Sequence, residues 1–200
     1  MPTFTYNWAN AEVSFYVNDT VISGDQSLPA ITSTNGGASY FTAYYDGSGA
    51  VWGQGFSNTT AEASDEVLVN GETLNVQTDA SMDQLIRQNF IAPPGAIAVT
   101  YTDYSVDAGG DIRVRLISAG PGFFSGSAYG TLLSDVGVST TTSDDTDSDV
   151  AALNDGGFVV TWTRDFGAGD LDVDGAIMIG GSSSRMAVSA ASSSPGRFRK

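Results

Sequence analysis

Ser148–Gly181, SDVAALNDGGFVVTWTRDFGAGDLDVDGAIMIGG, is the stretch whose reading decides the fold. Val150, Ala151 and Leu153 form a short apolar run, and Asn154-Asp155-Gly156-Gly157 is a turn signal. Phe158–Trp162 is a second apolar run, rich in β-branched and aromatic side chains. This order predicts a hairpin. An Asp- and Gly-rich loop, Arg164 to Asp174, leads to a third extended segment at Ala176–Ile179. Two weaker versions of the same unit stand upstream, so the chain reads as an array of β units.

In the first version Gly24–Thr32 is followed by Asn35-Gly36-Gly37, the aromatic run Tyr40–Tyr45, the turn Asp46–Gly49 and Ala50-Val51-Trp52. In the middle one Ser81–Ile86 takes the place of Ser27–Thr32. Pro93-Pro94-Gly95 takes that of the Gly-Gly turn, Ala96–Tyr101 is the long strand, and Ile112–Ile117 alternates with period two. Taking Ile31, Leu85 and Val150 as equivalents gives spacings of 54 and 65 residues. A period of that size with about four strands fits a propeller blade.

The expected fold is all-β: tandem antiparallel β-sheet repeats, propeller-blade-like, in about three units at 24–78, 79–142 and 143–181, within a repeat domain spanning 1–181. Asp79–Phe90 has a competing reading as a short helix, with Met82, Leu85, Ile86 and Phe90 on one face. Thr3–Trp8 and Glu12–Val17 are strand-like, and the polar run Ser139–Asp149 reads as a connection. The Ser-rich, basic stretch 182–200 has no strand pattern and is expected to be a disordered tail. Three units are fewer than the roughly four to eight that close a propeller. Association of copies, an incomplete stack, or a fragment of a longer chain would each account for this, and the fragment is the favoured reading.

Charge narrows the function classes. The chain carries 23 acids against 8 bases, net −15, and every acid lies at or before Asp174. Such a surface repels phosphate backbones and anionic lipid, so nucleic-acid binding is disfavoured and divalent cations are the natural counter-charge. Without cysteine there is no disulfide or thiolate metal site, and without histidine there is no Ser-His-Asp or Cys-His catalysis and no His-bound zinc. A carboxylate-pair glycosidase stays open, but no spacing selects a pair. No apolar run is long enough to span a membrane, and the N-terminus lacks the pattern of a signal peptide.

GDQSLPAIT (Gly24–Thr32) with Asn35-Gly36-Gly37, and TSDDTDSDVAALNDGGFVVTW (Thr142–Trp162), resemble repeats of large type-I-secreted, RTX-associated bacterial proteins. In those repeats a D-Q-S-x-P-type segment precedes a short strand and a D-G-G-F-V-V-x-W strand. The resemblance implies propeller-like blades in a calcium-binding, adhesin-like, non-catalytic module, extracellular or on the cell surface and exported without an N-terminal signal peptide. The Gly-Gly-x-Gly-x-Asp array of such proteins is reduced here to Gly167–Asp172.

Asp170-Leu171-Asp172-Val173-Asp174-Gly175 spells D-x-D-x-D-G, the opening of many calcium loops, in which alternate carboxylates curl onto one hard cation. An EF-hand is excluded because Gly181 stands where its bidentate Glu belongs. The candidate metal ligands are therefore Asp165, Asp170, Asp172 and Asp174, with Asp103, Asp107 and Asp111 in the matching loop of the middle unit, and calcium as the cofactor. The other reading makes these acids hairpin-turn residues, with Asp172 and Asp174 pointing away from a strand. Trp162 is expected in the core. Two functions follow: a secreted structural or adhesive module with calcium and a surface glycan or protein as partners, or a carbohydrate-binding or carbohydrate-active β protein.

Overall fold

Phe158–Trp162 does extend as a strand, and a second strand folds back on it from each side. The computed structural model describes residues 17, 23–34, 37, 39–57, 64–71, 75–85, 96–119, 129–131, 135–180 and 186–190. These form thirteen strands in three antiparallel sheets, with no helix among the described residues. The first sheet contains β1 (Ser27–Thr34), β2 (Ser39–Tyr45), β3 (Val51–Ser57) and β4 (Val67–Leu68) in that order. β5 (Gln77–Gln84), β6 (Ile97–Asp103), β7 (Asp111–Ala119) and β8 (Tyr129–Thr131) make the middle sheet, where β9 (Val136–Ser139) also pairs with β7. The third contains β10 (Asp144–Ala152), β11 (Phe158–Asp165), β12 (Leu171–Gly180) and β13 (Met186–Ala190). The first and third sheets are meanders of consecutive strands, as short turns between antiparallel neighbours demand, whereas in the middle sheet β8 and β9 both pair with β7. The described sheets close into neither a barrel nor a ring.

An irregularity at the same place in each first strand fixes the true repeat. Between Ser27 and Ala30, Thr78 and Ser81, and Thr146 and Asp149, two residues oppose a single residue of the second strand. That single residue is Tyr44, Tyr101 and Trp162 in turn. Each is a β-bulge, and each contains a residue in the left-handed region: Leu28 (φ 51°), Asp79 (φ 54°) and Asp147 (φ 53°). Aligned on the bulges, Ile31 corresponds to Met82 and Val150, with spacings of 51 and 68 residues. The sequence equivalence with Leu85 is thus three residues out.

Stacking of the sheets explains which faces are apolar. Phe41, Ala43 and Val51 of the first sheet pack with Ile97, Val99, Tyr101 and Ile117 of the middle one. Ala98, Ile112, Val114 and Leu116, on the other side of the middle sheet, pack with Phe158, Val160, Trp162, Ala176 and Met178. β6 is buried along its whole length because it has a neighbour on both faces, the situation that gives a continuous apolar run. β11 alternates, with Phe158, Val160 and Trp162 buried and Thr161 exposed, because only one of its faces is covered. Full burial of one such Val, Ile or Leu stabilises by about 1.5–3 kcal/mol. Edge contacts join the first strands: Ser81 Oγ–H donates to Asp149 at 2.6 Å, and the Ala152 N–H donates to Asp83 at 2.8 Å.

Several sequence expectations change. Residues 77–84 are a strand and not the start of a helix, so the unit boundary placed at 78/79 falls inside β5. The polar run ahead of the third unit is not a connection: Asp144–Ala152 is β10, whose inward positions include Asp145 and Ser148. Within the stretch read as a disordered tail, Met186–Ala190 pairs with β12 and supplies the fourth strand. The strand-like pieces ahead of Val17, residues 86–95 and the remainder of 182–200 lie outside the described residues.

Candidate functional site

The turn between the second and third strands is where each unit concentrates its polar residues. On the bulge alignment Asp46, Asp103 and Arg164 are equivalent, each two residues past the aromatic that faces the bulge. Trp52, Arg113 and Asp174 are also equivalent, since they pair with Tyr44, Tyr101 and Trp162. Each unit joins these two positions. Trp52 Nε1–H donates to Asp46 Oδ2 at 3.0 Å, Arg113 Nε lies 3.4 Å from Asp103 Oδ2, and Arg164 lies 2.6 Å from Asp174. The pair is conserved in place while its polarity reverses in the third unit.

A third member comes from the first strand. Gln77 and Asp145 precede their bulges by the same offset, and both are fully buried. Gln77 Nε2–H donates to Asp103 at 2.9 Å. Arg164 Nε–H donates to Asp145 at 2.8 Å, and Ser139 and Thr141 hydroxyls hold the same carboxylate at 2.6 and 3.0 Å. A guanidinium between two carboxylates suits its planar donor fork. The hydrogen bond and charge of Asp145 raise the Arg164 pKa against the effect of burial. Arg164 also lies over the Trp162 ring, 5.7 Å from its centroid. In the middle unit Asn70 extends the network to the first sheet, donating to Gln77 Oε1 and accepting the Val51 N–H.

Asp46 is held by its own turn. Its carboxylate accepts the N–H groups of Ser48 and Ala50, the Ser48 hydroxyl and the Trp52 indole N–H. Burial alone would raise its pKa, but these bonds outweigh it and hold it below the usual carboxylate range. Asp111 behaves oppositely. Burial, then the charges of Asp103 and Asp107, push it up, with Arg113 opposing.

Of the acids singled out as metal ligands, Asp103, Asp107 and Asp111 share the β6–β7 turn. Asp103 is tied to Gln77, Arg113 and the Ser105 N–H, and Asp107 caps its own turn through the Gly109 N–H. Asp165 caps the next turn through the Gly167 N–H at 2.6 Å. Asp170 and Asp172 are exposed, and Asp174 is committed to Arg164. Among the described residues no group of three or more acids is placed together to hold a metal ion. The reason is local: Asp172 and Asp174 sit on a strand, where alternate residues share a face without curling inward. Sequence reading missed Asp145, Gln77 and Arg164. A usable signal was there, the Gln26-Ser27, Gln77-Thr78 and Asp145-Thr146 pairs ahead of each bulge.

An open depression of about 560 Å³ lies beside this turn in the middle unit, lined by Asn75, Val76, Tyr104, Ser105, Val106 and Ala108. No helix of the described residues is long and apolar enough to cross a membrane.

No protein-family model and no curated protein matches the chain. Among solved structures, the chain is similar to the intramolecular trans-sialidase from Ruminococcus gnavus, crystallised with oseltamivir carboxylate, at 20% identity and a TM-score of 0.49. The match covers 67% of this chain and 27% of that one.

Proposed function

We propose that the chain is a non-catalytic β-repeat module, extracellular or on the cell surface, that serves in structure or adhesion. One observation carries this reading: the polar residues most concentrated in each unit are spent on its own turn, in the pairs Asp46–Trp52, Asp103–Arg113 and Arg164–Asp174. Carboxylates held in this way order a fold and are poor acids or nucleophiles for a substrate. Tyr44, Tyr101 and Trp162, which could have stacked on sugars, are buried. Propeller-type packing belongs to the same proposal, supported by antiparallel sheets of four, five and four strands stacked face to face.

Calcium is the finer part of the reading, and its support is the D-x-D-x-D-G spelling at Asp170–Gly175 together with the exposure of Asp170 and Asp172. Thermal unfolding in EDTA, then in calcium, with magnesium as control, tests it. A calcium-specific rise in midpoint supports the reading, since a ligand that binds only the native state stabilises it. An equal rise with magnesium reduces the effect to charge screening, and no rise removes calcium.

The carbohydrate reading would act at the depression beside Tyr104 and Asn75. Glycan-array binding that Tyr104→Ala abolishes, with the unfolding midpoint unchanged, would favour it over the structural one.

A further inference from the structure

The depression beside Tyr104 has a chemistry that the structural and carbohydrate readings leave unused. Its polar groups are largely spent on holding its own walls. Asn75 Nδ2–H donates to the carbonyls of Tyr104 and Ser105, both at 3.3 Å. The Tyr104 N–H donates to the Val76 carbonyl at 3.0 Å, and the Ser105 N–H to Asp103 at 2.9 Å. What these bonds leave to a ligand is mostly apolar: the half-buried Tyr104 ring, with Val76 39% and Val106 80% exposed beside it.

The rim is negative. Asp107 stands between the lining residues Val106 and Ala108, and the Asp144 carboxylate packs on Gly109, so closely that a Cβ there would overlap it. Burial, then the charges of Asp79, Asp147 and Asp144, raise the Tyr104 pKa, with a hydrogen bond to Thr78 opposing. The three arginines of the described residues are engaged elsewhere, at Asp103, at the Val69 carbonyl and between Asp145 and Asp174. We propose that the depression binds an alkylammonium group, its methyl or methylene shell against Tyr104, Val76 and Val106 and its charge facing the acidic rim. An aromatic face attracts a cation through its quadrupole, and a concave surface ringed by one sign of charge concentrates the other. A bare metal ion would need several oxygen ligands, and a neutral sugar would need free hydrogen-bonding groups to replace its water. A quaternary ammonium ion makes neither demand. The cavity and its ring form the site, and the acids choose the sign of its ligand.

Chemical-shift titration of the full chain with tetramethylammonium, choline and dimethylbutanol, the uncharged carbon isostere of choline, reads this directly. Both cations should shift the Tyr104 and Val106 resonances, dimethylbutanol should bind at least tenfold more weakly than choline, and cation affinity should fall as sodium chloride rises. Tyr104→Leu should weaken choline binding at least tenfold, while Tyr104→Phe, which keeps the ring, should nearly preserve it. The unfolding midpoint verifies that both variants are folded. Val106→Lys, at an exposed position, is the second variant, and its own ammonium group should abolish binding. Co-flotation with phosphatidylcholine vesicles assigns a lipid headgroup as the source of the ligand, and cation binding without co-flotation assigns a free ion; either supports the site. Equal affinity for dimethylbutanol, indifference to both Tyr104→Leu and Val106→Lys, or no shift with either cation would each overturn the proposal, and none of these outcomes bears on the glycan-array test.

Discussion

Asp111 and Asp46 occupy the same kind of turn, yet they respond to pH in opposite senses. The folded state raises the Asp111 pKa, so between its unfolded and folded values the native protein binds the extra proton. Its contribution to stability therefore falls as pH rises through that window. Asp46 is depressed, so its contribution is present above the unfolded carboxylate value and is lost as pH falls towards its folded value. Asp111→Asn should raise the midpoint at neutral pH by about 2–4 °C and reduce the gain on mild acidification, as scanning calorimetry across pH would record. Arg164 offers a sharper test. Removing it strands Asp145, which is fully buried, and Arg164→Asp should cost about 3–5 kcal/mol or more. Installing the middle unit's chemistry throughout, with Asp145→Gln, Arg164→Asp and Asp174→Arg together, should recover most of that loss in urea titrations. Failure of the triple variant to recover would mean that the two networks are not equivalent. The repeated Gln26-Ser27, Gln77-Thr78 and Asp145-Thr146 pairs mark the position in the sequence, but the pairing itself was not legible, because Arg164 meets Asp145 and Asp174 across strands, in a register that local patterning leaves open.

At the scale of elements, the bulge opposite Tyr44, Tyr101 and Trp162 sets the register of each unit. A slip of one residue beyond it would exchange the buried and exposed faces of the strand. Asp at the left-handed position is tolerated, but Leu28 is not a residue that favours φ 51°. Leu28 is also 45% exposed, so Leu28→Gly gives up little burial. It should stabilise the protein by up to about 1 kcal/mol in urea titration, and a loss of stability would show that Leu28 packs against something that matters. β11 and β6 were legible because their runs are apolar, and the Asn154–Gly157 turn because its residues favour one. β10 was not, since two of its inward positions are the polar Asp145 and Ser148, and the Asp145 carboxylate is held by partners outside its own strand. β5 carried a helical spacing of apolar residues, and pairing with β6 overrode it.

The whole molecule combines a net charge of −15 with acids crowded at strand turns. Self-repulsion opposes the compact state, so the unfolding midpoint should rise by several degrees from low to physiological sodium chloride, and this series is the baseline for any calcium effect. A midpoint that is flat in salt would mean that the internal pairs already neutralise the field. The sequence by itself determined the all-β class, the three-unit repeat, the acidic surface and the absence of histidine and cysteine chemistry, because composition and period-two alternation are local properties. The tertiary structure alone decided the register of the repeat, the fourth strand of the third sheet, the buried side of each sheet and the partners of the aspartates. Those depend on which strands lie side by side: a carboxylate is a metal ligand, a turn cap or half of an ion pair according to what the neighbouring strand places within about 3 Å of it.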